Sequence, residues 1–506
     1  MRILGLSFGF HDAGACMLNG NEIEFASHSE RYSKVKNDPW LNHELINAAL
    51  EKGKPDVIAL HEKAWAKKLR NLTARNWSAL KEPTQREWIE KFYPQLKDIP
   101  IVDYWHHETH AAAGVLTSEY EDCAVMVIDA IGEFDTATIW SWREGKLKKL
   151  DSIWFPNSLG LFYSAITDHV GLKPMEDEYI LMGMAAYGQP YFLKDMDKKL
   201  FKNSESLLTR RNLQKGLEKN WSSRENFALQ DEWGHKKIDY DLAASAQALI
   251  EKKINIYANK AKKLTGSKNL VFMGGVALNC VANSNLYNIF NDVHIMPNPG
   301  DCGSSLGAAA LHLYNKTSMK VDWQGPYLGH CIHGSYPIKK ALASLKKGEL
   351  FGIANGRAEF GPRALGNRSL CADPRGPDVK DKMNVIKKRQ KFRPFAPMIL
   401  EEYVHEYFDM PGEISHAPYM QYVARCKKPK EFPAIVHADG TSRVQTVNRY
   451  QHPDLHELLT KFNKRTGCPM LLNTSLNIKG QPIVNDEDDA EAFAKHYKVK
   501  VHTRDV

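Results

Sequence analysis

The chain has 506 residues, enough for two or three domains, each with its own core. An apolar fraction of 43% and a charged fraction of 25% are those of a globular protein, and no run of eighteen apolar residues offers a membrane-spanning helix. The net charge of +8 leans towards anionic ligands or nucleic acid. The eight cysteines are scattered without a CxxC pair, which excludes a disulfide framework or zinc knuckle and points to a reducing, cytoplasmic setting. Met1-Arg2 runs directly into ILGLSFG, too quickly polar for a secretory signal.

Residues 2–28, RILGLSFGFHDAGACMLNGNEIEFASH, read as strand, small-residue turn, strand, an Asn19-Gly20 hairpin turn and a third strand. In WHHETHAAAG, Trp105 to Gly114, helix-forming residues place His106 and His110 four apart on one helical face. Two imidazoles so spaced can bite one metal ion or serve as ordinary helix residues. The glutamate is misplaced for HExxH, so no zinc-protease motif is present. From 124, AVMVIDAIGEFDTATIWSWREGKLKKLDSIW repeats the strand-turn-strand plan of the N-terminus. Asp12 and Asp129 lie near the corresponding first turns, where a carboxylate serves a metal or simply forms the turn.

Residues 191–238 are charged and lysine-rich, with Arg210-Arg211. They read as a solvated helical insertion or as a basic rim for an anionic acceptor. NLVFMGGVALNCVANSNL (269–286) and VHIMPNPGDCGSSLGAAALHLY (293–314) are each a strand, a Gly-rich turn and a small-residue helix. Such turns let a ligand approach the backbone, and helix N-termini favour anions. Neither is GxGxxG or a Walker loop. If Asp129 and Asp301 joined the two histidines, the mixed N/O set would suit Fe(II), Mn(II) or another borderline divalent ion. QGPYLGHCIHGSYP, 324–337, is turn-rich and marks a domain boundary before a new helix.

In this order the motifs resemble the O-carbamoyltransferase family of the NodU/CmcH/TobZ type. HDAGACMLNG, SERYSKVKND, HHETHAAAG, SLGLFYSAITDHVGLKP, EYILMGMAAYG, GGVALNCVANS, PGDCGSSLGAAA, GRAEFGPRALGNRSLCADPR, RPFAP, TSRVQTV and LLNTSLNIKGQPIV carry the resemblance from end to end. It departs at Ser29-Glu30-Arg31, where the family has Glu-Glu-Arg, and at Ile180 and Ala186, where Lys and Pro are usual. The resemblance implies an α/β fold: a duplicated actin-like (ASKHA), TsaD-type domain over 1–328, with the basic insertion at about 191–238, and an α+β YrdC-like domain over 329–506.

It further implies metal ligands at His106, His110, Asp129 and Asp301 for an Fe2+-type ion, with Mn2+ or Mg2+ as alternatives. Catalytic groups fall on His11, as base, and Lys36. Gly274, Gly275 and Asn279 fall on the ATP or adenylate. Carbamoyl phosphate falls to Arg363, Lys388, Arg443, Asn473 and Ser475, with Asn477 a neighbour. Arginine forks and a lysine charge suit a small dianion, and Asn and Ser suit its amide end. Arg357, Arg363, Arg368 and Arg375 also admit the plainer reading of surface ion pairs. The implied activity is ATP-dependent O-carbamoylation: carbamoyl phosphate and ATP give carbamoyl adenylate, and an acceptor hydroxyl takes the carbamoyl group. The acceptor is a small molecule or sugar, or a hydroxymethylated pyrimidine in DNA or a nucleotide. No membrane partner is expected, and the resemblance is compatible with a homodimer. Rival readings are a TsaD-like tRNA threonylcarbamoyl transferase and a non-catalytic nucleotide- or nucleic-acid-binding relative.

Overall fold

The computed structural model describes residues 1–73, 76–77, 79–217, 234, 236–390 and 392–505. The chain forms two compact units: Met1–Glu24 with Pro39–Trp323, and Phe25–Asp38 with Gln324–Val506.

The first unit is built on two sheets of one topology. Strands β1 (Arg2–Ser7), β2 (Gly14–Asn19), β3 (Glu22–His28), β4 (Val57–Leu60) and β5 (Ile101–Asp103) lie in the order β3-β2-β1-β4-β5. Strands β6 (Cys123–Ile128), β7 (Asp135–Arg143), β8 (Lys146–Trp154), β9 (Asn269–Met273) and β10 (Asp292–His294) lie in the order β10-β9-β6-β7-β8. Each sheet opens on antiparallel hairpin pairing and continues through parallel crossovers. The repeat expected from the sequence is therefore a repeat of topology. The hairpin turn predicted at Asn19-Gly20 has positive φ at Gly20, and the hairpin of the second sheet has positive φ at Glu144 and Gly145.

The alanine run explains itself in packing. The helix His106–Leu116 buries ten of its eleven residues, all but Glu108. Its partner, the helix Ser304–Thr317, buries Leu306 through Leu313. Small residues let the two axes close: a Cβ on Gly307 would stand 2.0 Å from the Thr109 carbonyl oxygen. Helices hydrophobic all round belong inside a domain.

A 29-residue helix, Lys237–Thr265, was not anticipated. It anchors the described part of the charged segment. Lys253 is 0% exposed, pairs with Asp197 at 2.8 Å and donates to the carbonyls of Asn203, Ser204 and Ser206. Met196, Leu200 and Phe201 are buried. Arg210 donates to the carbonyls of Lys198, Phe201 and Lys202. Residues 191–217 are thus anchored by a few buried side chains, while Lys194, Lys198, Lys199 and Lys202 stay exposed to solvent. The rest of the expected insertion, 218–233 and 235, lies outside the described residues.

In the second unit, β11 (Tyr327–Ile332) pairs with β13 (Gly356–Glu359). Strands β12 (Phe351–Ala354), β14 (Arg368–Ala372), β15 (Ala396–Leu400), β19 (Gln445–Val447), β20 (Met470–Ser475) and β21 (Lys500–His502) form a mixed sheet, ordered β19-β15-β20-β14-β12-β21. A smaller sheet holds β16 (Phe408–Asp409), β17 (Val423–Cys426) and β18 (Thr441–Arg443). The helix expected after Pro337 runs Ile338–Lys346. Phe25–Asp38, placed with the first domain on sequence, groups here. Arg31 Nη2 donates to the Gly361 oxygen at 3.0 Å, Lys34 pairs with Asp489, and the His28 and Phe360 rings lie 5.6 Å apart. Such long-range contacts leave no local pattern to read. No helix among the described residues is long and apolar enough to cross a membrane.

Candidate metal centre and anion site

His106 opens its helix, yet Trp105 at the N-cap offers no side-chain acceptor. Glu133 replaces it. Its carboxylate accepts the His106 N–H at 3.1 Å on each oxygen and the Lys63 N–H at 2.8 Å. Glu133 is 3% exposed, and burial raises its pKa. Asp129 follows β6. The Gly275 N–H donates to its Oδ1 at 3.0 Å, leaving Oδ2 to face His106 Nε2 at 3.2 Å. The close approach needs glycine at 274, where φ is +90° and a Cβ would meet the Ile128 oxygen at 2.2 Å. Asp301 sits in the turn before the Ser304–Thr317 helix, and its carbonyl accepts from Ser7 Oγ at 2.7 Å.

These segments bring the four predicted ligands together. His106 and His110 Nε2 are 3.1 Å apart, and Asp301 Oδ1 is 3.4 Å from each. Asp129 Oδ2 is 3.8 Å from His110. All four donor atoms lie within 4.8 Å of one another, and all four residues are buried. Donors bonded to one ion at about 2.1 Å stand roughly 3.0–3.4 Å apart, so the set fits a divalent cation. Burial disfavours charge on His106, but Asp301 and Asp129 outweigh it and raise its pKa well above 6.5. Burial likewise opposes ionised Asp301, and the two imidazoles reverse that, holding it well below the usual range. His107, beside them, is the ordinary residue. It bonds Thr138 Oγ1 at 3.0 Å, and burial followed by the neighbouring imidazoles keeps it neutral.

His11 shares this field. Burial lowers its pKa, but Asp12, Asp301 and Asp129 raise it overall. Its Nε2 donates to the Met175 oxygen at 2.8 Å, which leaves Nδ1 with the lone pair of the neutral ring. Asn279 forms reciprocal amide bonds with Gln247 and caps Ala282. Lys36 lies half-buried in Phe25–Asp38, within the second unit.

Sequence reading missed Glu133, and also His61 and Glu62. With His106 these two form a second group of close donor atoms. Glu62 is paired with Lys67 at 2.8 Å, and His61, driven down to about 3 by burial, faces Gln85.

In the second unit the structure brings Ser475 and Asn477 together with Lys387. Lys387 Nζ donates to the Ser475 oxygen at 2.5 Å, to Ser475 Oγ at 3.2 Å and to Asn477 Oδ1 at 2.6 Å. It is 4% exposed, and burial, then Arg389 and Arg393, pushes its pKa well below 10.5. Lys388, the lysine named from sequence, caps the C-terminus of the helix Val379–Lys387 at φ 48° and sets its ammonium 5.7 Å from the Tyr497 ring centre. The signal was there: Met383 and Lys387 share a helical face, and Lys388 is turned away.

Asn473 Nδ2 donates to the Ala364 oxygen at 2.9 Å and to Gln445 Oε1 at 2.7 Å, fixing the turn after Arg363. Asn473 Oδ1 and Arg443 Nε are buried without a hydrogen-bond partner. The ion-pair reading holds for Arg375, which pairs with Asp373 at 2.6 Å. It fails for the buried Arg368, which donates to backbone carbonyls instead, while Arg357 Nη2 donates to the Leu328 oxygen at 2.6 Å.

The family follows. The model of the carbamoyltransferase N-terminus matches residues 56–310, and that of the carbamoyltransferase C-terminus matches 342–503. The chain belongs to this carbamoyltransferase family and is an enzyme of the transferase class. It is 35% identical to nodulation protein NolO of Bradyrhizobium diazoefficiens over 76% of this chain and 75% of that one. Nodulation protein NolNO of Sinorhizobium fredii is 30% identical over 95% of this chain and 76% of its own. The 3'-hydroxymethylcephem-O-carbamoyltransferase of Amycolatopsis lactamdurans is 27% identical over 96% and 95%.

Proposed function

We propose that this carbamoyltransferase works in two half-reactions with ATP and carbamoyl phosphate. The observation that carries the reading is the buried cluster of His106, His110, Asp129 and Asp301 within the N-terminal family region. The duplicated topology of the first unit supports an actin-like nucleotide fold, and the mixed sheet of the second supports a YrdC-like one. In the second unit, Lys387, Arg363 and Arg443 hold the dianion of carbamoyl phosphate, and Asn473 and Ser475 its amide end. Lys387 takes the role expected of Lys388.

Hydrolysis of carbamoyl phosphate yields phosphate and carbamate. A carbamate oxygen attacks the α-phosphorus of ATP, and pyrophosphate leaves. The acceptor hydroxyl then attacks the carbonyl of carbamoyl adenylate, AMP departs, and His11 Nδ1 takes the hydroxyl proton. Gly275 holds Asp129 and Glu133 holds His106, so the ligand atoms are set before substrate arrives. An iron(II)-type ion in that cluster supplies positive charge for the nucleotide's phosphates. A cleft walled by Phe8, Gly9, Trp40, Glu62, Lys67 and Trp88 is the proposed entry for the acceptor.

The test is pyrophosphate release from ATP and carbamoyl phosphate. Loss in Arg443→Met with folding intact is expected; release that persists in His106→Ala/His110→Ala sinks the assignment of the cluster. Mass spectrometry for one added carbamoyl group identifies the acceptor, across sugars, small hydroxyl compounds and hydroxymethylated DNA.

A further inference from the structure

Two arginines are fully buried in the second unit, and they differ in kind. Arg368, 0% exposed, is saturated: its five N–H groups reach the carbonyls of His330, Asn355, Gly356, Asn367 and Asn485. Burial lowers its pKa to about 10. It is a brace for the backbone. Arg31, 1% exposed, has one acceptor, the Gly361 oxygen at 3.0 Å. Its Nε and Nη1 are buried without a hydrogen-bond partner. The Glu30 carboxylate stands 3.9 Å from Nε, beyond hydrogen-bond reach, and its Oε2 accepts from the Asn37 N–H at 2.9 Å.

A guanidinium is always charged, and burying it with idle donors is costly unless an anion meets them. The position of Arg31 ties it to one turn of the second unit. Its one bond ties it to Gly361, two residues before Arg363, in the turn whose Ala364 oxygen is held by Asn473. Neither matched family region, 56–310 or 342–503, includes residue 31. We propose that Arg31 belongs to the small-oxyanion site of the second unit and clamps an oxygen of a phosphate, or of a carbamate-type carboxylate, at the Gly361–Arg363 turn. The proposal rests on the reading that this unit takes carbamoyl phosphate. It adds a ligand that arrives from the N-terminal stretch of the chain.

The experiment measures binding of inorganic phosphate and of bicarbonate, a planar stand-in for carbamate, to the full chain by calorimetry, with thermal melts beside it. Wild type, Arg31→Met, Arg31→Lys and Arg443→Met are compared. Arg31→Met should still fold without ligand, although it loses the Gly361 bond and the distant Glu30 pair. It should also bind one or both anions about tenfold or more weakly, the cost of a lost charge-assisted bond. The anion that weakens reports which end of the substrate Arg31 meets. Arg31→Lys should fall between. An Arg31→Met protein that melts lower or fails to fold, with Arg31→Lys binding both anions as wild type, makes Arg31 a brace like Arg368 and overturns the proposal. If Arg443→Met loses binding and folded Arg31→Met keeps it, the proposal fails and the carbamoyl phosphate reading stands. Wild type that binds neither anion overturns both.

Discussion

Glu133→Ala tests how the metal ligands are held. The carboxylate is 3% exposed and serves two backbone N–H groups, those of His106 and Lys63. Alanine leaves both buried and unanswered. Each such donor costs about 1–3 kcal/mol, and losing the negative charge at the helix start costs roughly 0.3–1 kcal/mol more. Water entering the vacated space offsets part of this, so the expected loss of stability is about 2–4 kcal/mol. The effect reaches the metal because His106 is the first residue of its helix. A frayed first turn must be ordered again when the ion binds, at about 1–2 kcal/mol per residue, so affinity should fall about tenfold or more. Urea denaturation gives the first quantity. Competition between the protein and a chromophoric chelator for Zn2+ gives the second. Glu133→Gln keeps the shape and one acceptor oxygen and should lose about half as much. If Glu133→Ala unfolds within about 0.5 kcal/mol of wild type and binds Zn2+ equally well, the remote cap does not hold the ligand and the reasoning is refuted.

Three further outcomes follow from the same geometry. His106→Ala/His110→Ala should leave the chain folded but abolish stoichiometric Zn2+ uptake, measured by elemental analysis after gel filtration; retained uptake would place the ion elsewhere. Lys387→Met should weaken phosphate binding about tenfold while Lys388→Met leaves it unchanged, by calorimetry. Because the Lys387 pKa is depressed in the fold, the native chain there binds fewer protons than the unfolded one between the folded value and 10.5, and stability rises with pH through that window. Within that window an arriving anion favours the charged ammonium, so phosphate binding there takes up protons and weakens as pH rises. Heats measured in buffers of different ionisation enthalpy check the sign, and proton release would contradict it.

The candidate metal centre was legible only in part. Two histidines four apart left metal binding as one of two readings, and the set with Asp129 and Asp301 came with the family resemblance. The first hairpin was legible through Asn19-Gly20, where the positive φ the turn requires falls on Gly20. What escaped reading depends on distance. Glu133 acts on a helix that begins 27 residues earlier, and Phe25–Asp38 joins a unit whose remainder starts at 324. The Lys237–Thr265 helix went unread because the charged segment before it drew attention to solvent, while Lys253 is held inside by Asp197 and three carbonyls. Lys388 was preferred to Lys387 because a lysine pair gives no choice by composition; only the helical phase separates them.

The small residues of HHETHAAAG are as much a part of the site as its imidazoles. Asp301 precedes the Ser304–Thr317 helix, and His106 and His110 ride on the helix packed against it, so the distance between those axes sets the 3.4 Å between carboxylate and imidazole. Gly307 fixes that distance by lying under the Thr109 oxygen, one residue from His110. In Gly307→Ala the added carbon would start 2.0 Å from that oxygen and must force the helices apart. Overpacking of this kind costs typically about 1–3 kcal/mol. A shift of even half an ångström along the same line opens a donor set whose affinity depends on close spacing. Stability and Zn2+ affinity should therefore fall together in Gly307→Ala. A variant that loses stability but binds Zn2+ as wild type does would show that the ligands are set by their own turns and not by the helix pair.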